Sequence, residues 1–327
     1  MPLYEKNFRT GLFYIAVTVL FWGILPIALL FSLEKLDSVT VTWFRFMVAA
    51  VFSLMIQFLR GKLGEYQALS KKDWGILFFA GLFLIIDYVG FIYALEFITP
   101  NALTIVSQTT PIFLALGGII FFKERLTALQ IACALGLVTG ILLFFNDSLA
   151  EFGTADDRLL TGVGIAIGAA LIWSFYALLQ RTLFGKLSSP NILLFIYLQA
   201  LILLAPLSTP EDLLRLDSAD WGILIFCAFN TLIAYGAFSE SLKHWETTQV
   251  SSVVALTPLV TILASFLTWL VVPEKIVYAP INLIGWGGVV LSISCVLIFN
   301  VSKVGKIGKI GKNLWKQAGN RRDTACS

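Results

Sequence analysis

The chain has 327 residues, 58% of them hydrophobic and only 13% charged, with a formal net charge of +3. Soluble domains are about half apolar and a quarter charged, so this chain carries more apolar surface than a water-soluble fold can hide. One histidine and four cysteines, three of them (Cys133, Cys227, Cys295) inside apolar runs and Cys326 in a tail, exclude a Cys/His metal centre and give no extracellular disulfide framework.

Apolar stretches near the length that a helix needs to cross the hydrocarbon core recur along the chain, and they predict spans over 10–31, 39–59, 74–95, 102–122, 127–145, 160–182, 192–207, 221–242, 248–272 and 281–301. The first follows Lys6 and Arg9 but has full spanning length and no small-residue cleavage pattern, so it reads as a retained helix. Loops alternate in charge. Lys6, Arg9, Arg60, Lys62, Lys71, Lys72, Lys123, Arg125, Arg181, Lys186, Lys243 and the tail fall on one side, against Lys35, Arg158, Arg215 and Lys275 on the other. Positive residues concentrate in cytoplasmic loops, which predicts cytoplasmic N- and C-termini and an even number of spans.

In the second span Arg45, and in the third Asp87, lie roughly 9–12 Å below the outer surface at the helical rise. Charge at that depth needs a partner or a task. Two readings stand: a fixed ion pair that makes burial tolerable, or a functional pair that binds a charged solute group or titrates during transport. Pro111 and Pro258 fall mid-way in the fourth and ninth spans, and each frees a backbone carbonyl. Either a kink satisfied by Thr109, Thr110 or Thr257 results, or an interrupted helix that lines a central site. Ser107, Gln108, Ser251 and Ser252 would then offer neutral hydrogen bonds, and Trp22, Tyr88, Trp173, Tyr176 and Tyr235 apolar walls with polar edges. Trp74, Trp221 and Trp245 read as interfacial.

Glu240, with Lys243, His244 and Glu246, forms either an interfacial charge cluster or a cytoplasmic gate and proton acceptor. Gly136/Gly140 and Gly164/Gly168 have the spacing that brings helices close, within the chain or across a homodimer. The tail, with Lys303, Lys306, Lys309 and Lys312, reads as a flexible basic segment for anionic lipid, not for nucleic acid.

The halves repeat. Asp73-Trp74-Gly75-Ile76-Leu77 recurs as Asp220-Trp221-Gly222-Ile223-Leu224, an offset of 147 that also carries Tyr88 to Tyr235 and Thr110-Pro111 to Thr257-Pro258. Gly11 and Trp22 correspond to Gly162 and Trp173 at an offset of 151. Five spans per half force the copies into opposite orientations, so the expected fold is all-α and integral to the membrane: ten transmembrane helices in two inverted-topology five-helix repeats. The expected units are 1–146, 147–301 and a basic tail over 302–327. Arg45 and Asp87 have Ile196 and Ala234 at the equivalent places.

A tryptophan in the first helix of each half, a proline-bearing fourth helix followed by Lys123-Glu124-Arg125-Leu126 or Pro273-Glu274-Lys275, and a glycine-spaced fifth helix resemble the EamA-type members of the drug/metabolite transporter superfamily. Trp43-Phe44-Arg45-Phe46 is also like the family, with Leu194-Phe195-Ile196-Tyr197 in the second half. The resemblance implies a ten-helix carrier of small organic solutes, commonly an exporter of amino acids, related metabolites or drugs, in a bacterial inner membrane. With no phosphate-cradling loop, ATP does not drive it directly, and proton coupling stays open. No cofactor is expected. An uptake or exchange carrier, and from another class a membrane-embedded enzyme or sensor, are the alternatives; an enzyme would need convergent nucleophile, base or metal ligands that the chain lacks.

Overall fold

The computed structural model describes residues 8–123, 126–147, 157–245, 247–276 and 280–300, and they form a bundle of helices. The first half supplies α1 (Phe8–Ser32), α2 (Ser38–Leu59), α3 (Lys71–Ala94), α4 (Pro100–Ser107), α5 (Thr110–Phe122) and α6 (Ala128–Phe144). The second supplies α7 (Asp157–Leu183), α8 (Ser189–Leu204), α9 (Ser218–His244), α10 (Thr247–Val254), α11 (Thr257–Val271) and α12 (Leu283–Asn300). Among the described residues nine segments are long and apolar enough to cross a membrane, and α6, at 17 residues, is the shorter tenth. The tail, Glu124, Arg125, Glu246 and the acidic stretch 148–156 lie outside the described residues.

The repeated Asp-Trp-Gly-Ile-Leu motif is a helix start. In α3, Ser70 and Asp73 close a capping box, and in α9 Asp217 and Asp220 do the same, each pair satisfying orphan amides of the first turn. These caps begin the helices three residues before hydropathy does, because the first turn is polar. Asp37 caps α2 by accepting from the Val39 and Thr40 amides at 2.8 and 2.9 Å.

The packing follows the repeat. The longest contacts are α1 on α9 and α3 on α7, so the first span of each half lies on the third span of the other. Helices α2 and α8, the second spans, pack on each other; α1 meets α11, as α7 meets α5. Helices α6 and α12 approach at Gly140 and Gly288, where a Cβ on Gly288 would stand 2.4 Å from the Gly140 carbonyl oxygen. Gly136 lies equally tight against Cys295, so this glycine pair serves packing within the chain. Gly164 and Gly168 differ from expectation: a Cβ at either meets no atom within 4 Å, and the helices do not close on them.

Trp245 also departs from the interfacial reading. It is buried on Gly11 and stacks on Phe8, with its indole N–H donating to the Phe8 carbonyl at 3.1 Å, because α9 runs alongside the start of α1. Trp74 is partly exposed, as expected.

Candidate functional site: the interrupted helices and an aromatic core

The fourth and ninth spans are not single helices. Each breaks just before its Thr-Pro pair, into α4 and α5 and into α10 and α11. The proline at each break cannot donate to the carbonyl four residues back, so Ser107 and Val254 lose their usual partners. The preceding threonine hydroxyl replaces the missing amide in both halves: Thr110 Oγ1 donates to the Ser107 carbonyl at 2.7 Å, and Thr257 Oγ1 to the Val254 carbonyl at 2.6 Å. The kink satisfied by threonine is therefore realised, together with the interruption. The breaks also touch: Gln108 Nε2 donates to the Ala255 carbonyl at 2.8 Å, joining positions that the repeat makes equivalent. Ser107 spends its hydroxyl on the Leu103 carbonyl, whereas Ser252 Oγ is buried without a hydrogen-bond partner among the described residues.

The paired tryptophans stand next to these breaks. Gly23, after Trp22, rests near the Thr257 carbonyl, and Ser174, after Trp173, near the Thr110 carbonyl. Trp22 packs edge-on to Tyr235 at 5.3 Å between ring centroids, and Trp173 edge-on to Tyr176 at 6.1 Å. The repeat-equivalent Tyr88 and Tyr235 stack at 6.5 Å. Phe46 sits 4.7 Å from Tyr88 and 5.4 Å from Tyr197, its own repeat equivalent. Five aromatic residues expected at the site thus converge on the axis that relates the halves. Tyr235 itself is half-buried.

Arg45 and Asp87 share this region but do not pair, which corrects the ion-pair reading. The Arg45 Nε donates to the Cys227 carbonyl at 3.2 Å and Nη2 to Thr231 Oγ1 at 3.0 Å, and the guanidinium lies 5.2 Å from the centre of the Tyr88 ring. With 2% of its surface exposed, Arg45 is enclosed and bonded. Asp87 is 8% exposed and, among the described residues, makes neither an ion pair nor a hydrogen bond. It directly precedes Tyr88, whose ring stacks on Tyr235. Adjacent positions on α3 point about 100° apart, so Tyr88 takes the side toward Arg45 and Asp87 is left free of it.

Sequence reading passed over Tyr197, Cys227 and Thr231. A signal for the first existed: Tyr197 aligns with Phe46, and the hydroxyl is the only change. The Cys227 carbonyl and Thr231 had none, since a backbone acceptor leaves no mark in sequence. Glu240 is half-buried on α9, and His244, buried one turn on, stacks on Tyr14 at 6.3 Å. Both follow Tyr235 on α9, about one and two and a half turns further along; the side chain of Lys243 lies outside the described residues.

At the two ends, repeat-equivalent bonds join the halves. Lys186 and Asp73 pair at 2.7 Å, and their equivalents Lys35 and Asp220 at 3.9 Å. On the Lys186 side, Asn191 Nδ2 donates to Glu65 and to the Lys62 carbonyl, and Ser188 gives Glu65 its amide and hydroxyl. Partial burial pushes the Glu65 carboxyl up, but the bonds from Ser188 and Asn191 outweigh it and hold the group below its ordinary value of 4.5. On the other side, Thr40 and Thr209 both bond Asp37. Burial there also raises the carboxyl, and the bonds from Thr40, Thr209 and Val39 again bring it below the ordinary range.

Comparison with known proteins agrees with this architecture. The sequence profile of the EamA-like transporter family matches residues 9–146 and 160–301. A protein of Escherichia coli (strain K12) described as an uncharacterized inner membrane transporter, YhbE, is 33% identical over 281 residues, covering 85% of this chain and 87% of that one. A transporter of Haemophilus influenzae is 31% identical over 278 residues, 85% and 90% of the two chains. A more distant E. coli protein, named a probable amino-acid metabolite efflux pump, is 22% identical over 258 residues, 75% and 82% of the two chains. One crystal structure superposes with a TM-score of 0.60 over 90% of this chain and 99% of that chain, at 18% identity, which speaks to the fold alone. Two matched repeats, ten spans and paired interrupted helices make this chain a membrane transporter that belongs to the EamA-like transporter family.

Proposed function

We propose that the protein is a secondary carrier of the bacterial inner membrane that exports small organic metabolites, amino acids or related compounds, by alternating access. The observation that carries this reading is the meeting of both interrupted helices and the Trp22, Tyr88, Trp173 and Tyr235 rings on the axis between the repeats. Two halves of opposite orientation give two states of similar energy around one such centre. The site residues are Trp22, Asp87, Tyr88, Gln108, Trp173, Tyr176, Tyr235 and Ser252. Pro111 and Pro258 shape the breaks, Ser107 lends its carbonyl to them, and Arg45 holds Tyr88 in place. Asp87 is the group that titrates if transport is proton-coupled, and Glu240 is the candidate gate. The termini are cytoplasmic, and the basic tail rests on anionic lipid. The relative named as an amino-acid metabolite efflux pump supports the solute class only distantly.

An uptake or exchange carrier for anionic solutes is disfavoured by one observation: the buried cation of the site, Arg45, is already engaged by Cys227, Thr231 and Tyr88. The test is reconstitution in liposomes with labelled amino acids, amines and organic acids, with and without a pH gradient. Export-direction flux that responds to the gradient is expected, and absence of exchange for every solute would sink the carrier reading.

A further inference from the structure

We propose that Asp87 and the rings around it form a site for an organic ammonium ion, and that the carried solute is an amine without a carboxylate of its own. The inference rests on the carrier reading and narrows its solute. A carboxylate at membrane depth is costly unless something offsets it, and Asp87 receives no cation and no hydrogen-bond donor from the described residues. Arg45, the obvious counter-charge, is turned the other way and held by the Cys227 carbonyl, Thr231 and the Tyr88 face. The next residue on α3, Tyr88, stacks on Tyr235, which packs edge-on to Trp22, so Asp87 borders the aromatic cluster.

A carboxylate bordering an aromatic cluster is the chemistry that recognises an ammonium group. The charge meets the carboxylate, and the attached methylenes and the ring quadrupoles accommodate the rest. The same arrangement selects against a carboxylate on the solute, which would meet Asp87 and find Arg45 closed behind Tyr88. An α-amino acid gains one interaction and suffers one repulsion; the corresponding amine gains without loss. Because Ala234 stands where the second half would repeat Asp87, the repeat supplies one such charge and not two, and the site takes a single cation off the axis.

The test is binding to the full-length protein in lipid nanodiscs, followed by calorimetry, with phenethylamine, its N,N,N-trimethyl derivative, phenylalanine, 2-phenylethanol and phenylacetate as probes. Both cations should bind at least about tenfold more tightly than the other three, a difference of about 1.4 kcal/mol or more. Asp87→Asn should abolish that preference while binding of the alcohol is unchanged, and Asp87→Glu should keep it. Equal binding of the alcohol or of phenylacetate overturns the proposal, as does an Asp87→Asn protein that still prefers the cations. The wild-type probe series decides the matter by itself if the Asn variant does not fold. Cation binding without flux in liposomes would sustain the site and sink the carrier reading; phenylalanine flux undiminished in Asp87→Asn would do the reverse.

Discussion

Arg45 and Asp87 are two opposite charges in one buried region, on helices that touch, and the protein treats them differently. Arg45 is bonded to a carbonyl and a hydroxyl of α9 and covered by Tyr88, so it fastens the first half to the second. Asp87 is buried beside the aromatic cluster and makes no hydrogen bond or ion pair among the described residues. A buried charge with its bonds made is part of the frame, whereas a buried charge with none is held ready for a partner from outside. Depth and sign alone do not separate the two cases; the bonds do.

The sharpest way to break this comparison is to remove each charge and measure stability. Arg45→Met should destabilise the protein by about 2–4 kcal/mol, since hydrogen bonds to charged groups contribute about 1.5–3 kcal/mol each, and the loss should show as a lower thermal midpoint in detergent. A wild-type midpoint for Arg45→Met would contradict its role as a fastening. Where α6 and α12 meet, Gly288→Ala should cost about 1–3 kcal/mol by pushing α12 off the Gly140 carbonyl, measured in the same assay. For Asp87→Asn the sign reverses. Stability should stay within about 1 kcal/mol of wild type or rise, because an unpaired buried charge has been removed, while gradient-driven flux is lost.

The surface shows the same contrast at smaller scale. Lys186 and Asp73 pair at 2.7 Å and their repeat equivalents Lys35 and Asp220 at 3.9 Å, so one face is tied more tightly than the other. Both lysines are about half exposed, and exposed pairs contribute at most about 1 kcal/mol. Lys186→Ala should leave the thermal midpoint nearly unchanged but speed amide exchange in the loops at 60–70 and 184–188; Lys35→Ala should do less on its own face. Acid provides the last test. Glu65 is held below 4.5 in the folded protein, so its contribution is complete above that value and is lost as pH falls through the lower folded value. The thermal midpoint should decline below about pH 4.5, and less steeply in Glu65→Gln, as scanning fluorimetry would record.

Much of the frame was visible before any coordinates. Hydropathy placed the spans to within a few residues, and the Asp-Trp-Gly-Ile-Leu repeat placed the halves; its capping role was hidden because a cap is a relation between a side chain and backbone amides. The Thr-Pro pairs marked both helix breaks. Trp245 was misplaced because hydropathy reads a helix end as an interface and cannot see that α1 begins beside it.

Composition, span length and internal repetition are one-dimensional quantities, and the bilayer makes them decisive: apolar runs must cross, and five per half must invert. That is why the helices and their two-repeat arrangement could be read from the chain. Which of two buried charges is bonded could not, because Arg45 is satisfied by a carbonyl at Cys227, 182 positions away, and a backbone oxygen has no residue type. Asp87 owes its isolation to the turn of one helix, which gives Tyr88 and not Asp87 to the arginine. Only packing in three dimensions made that choice.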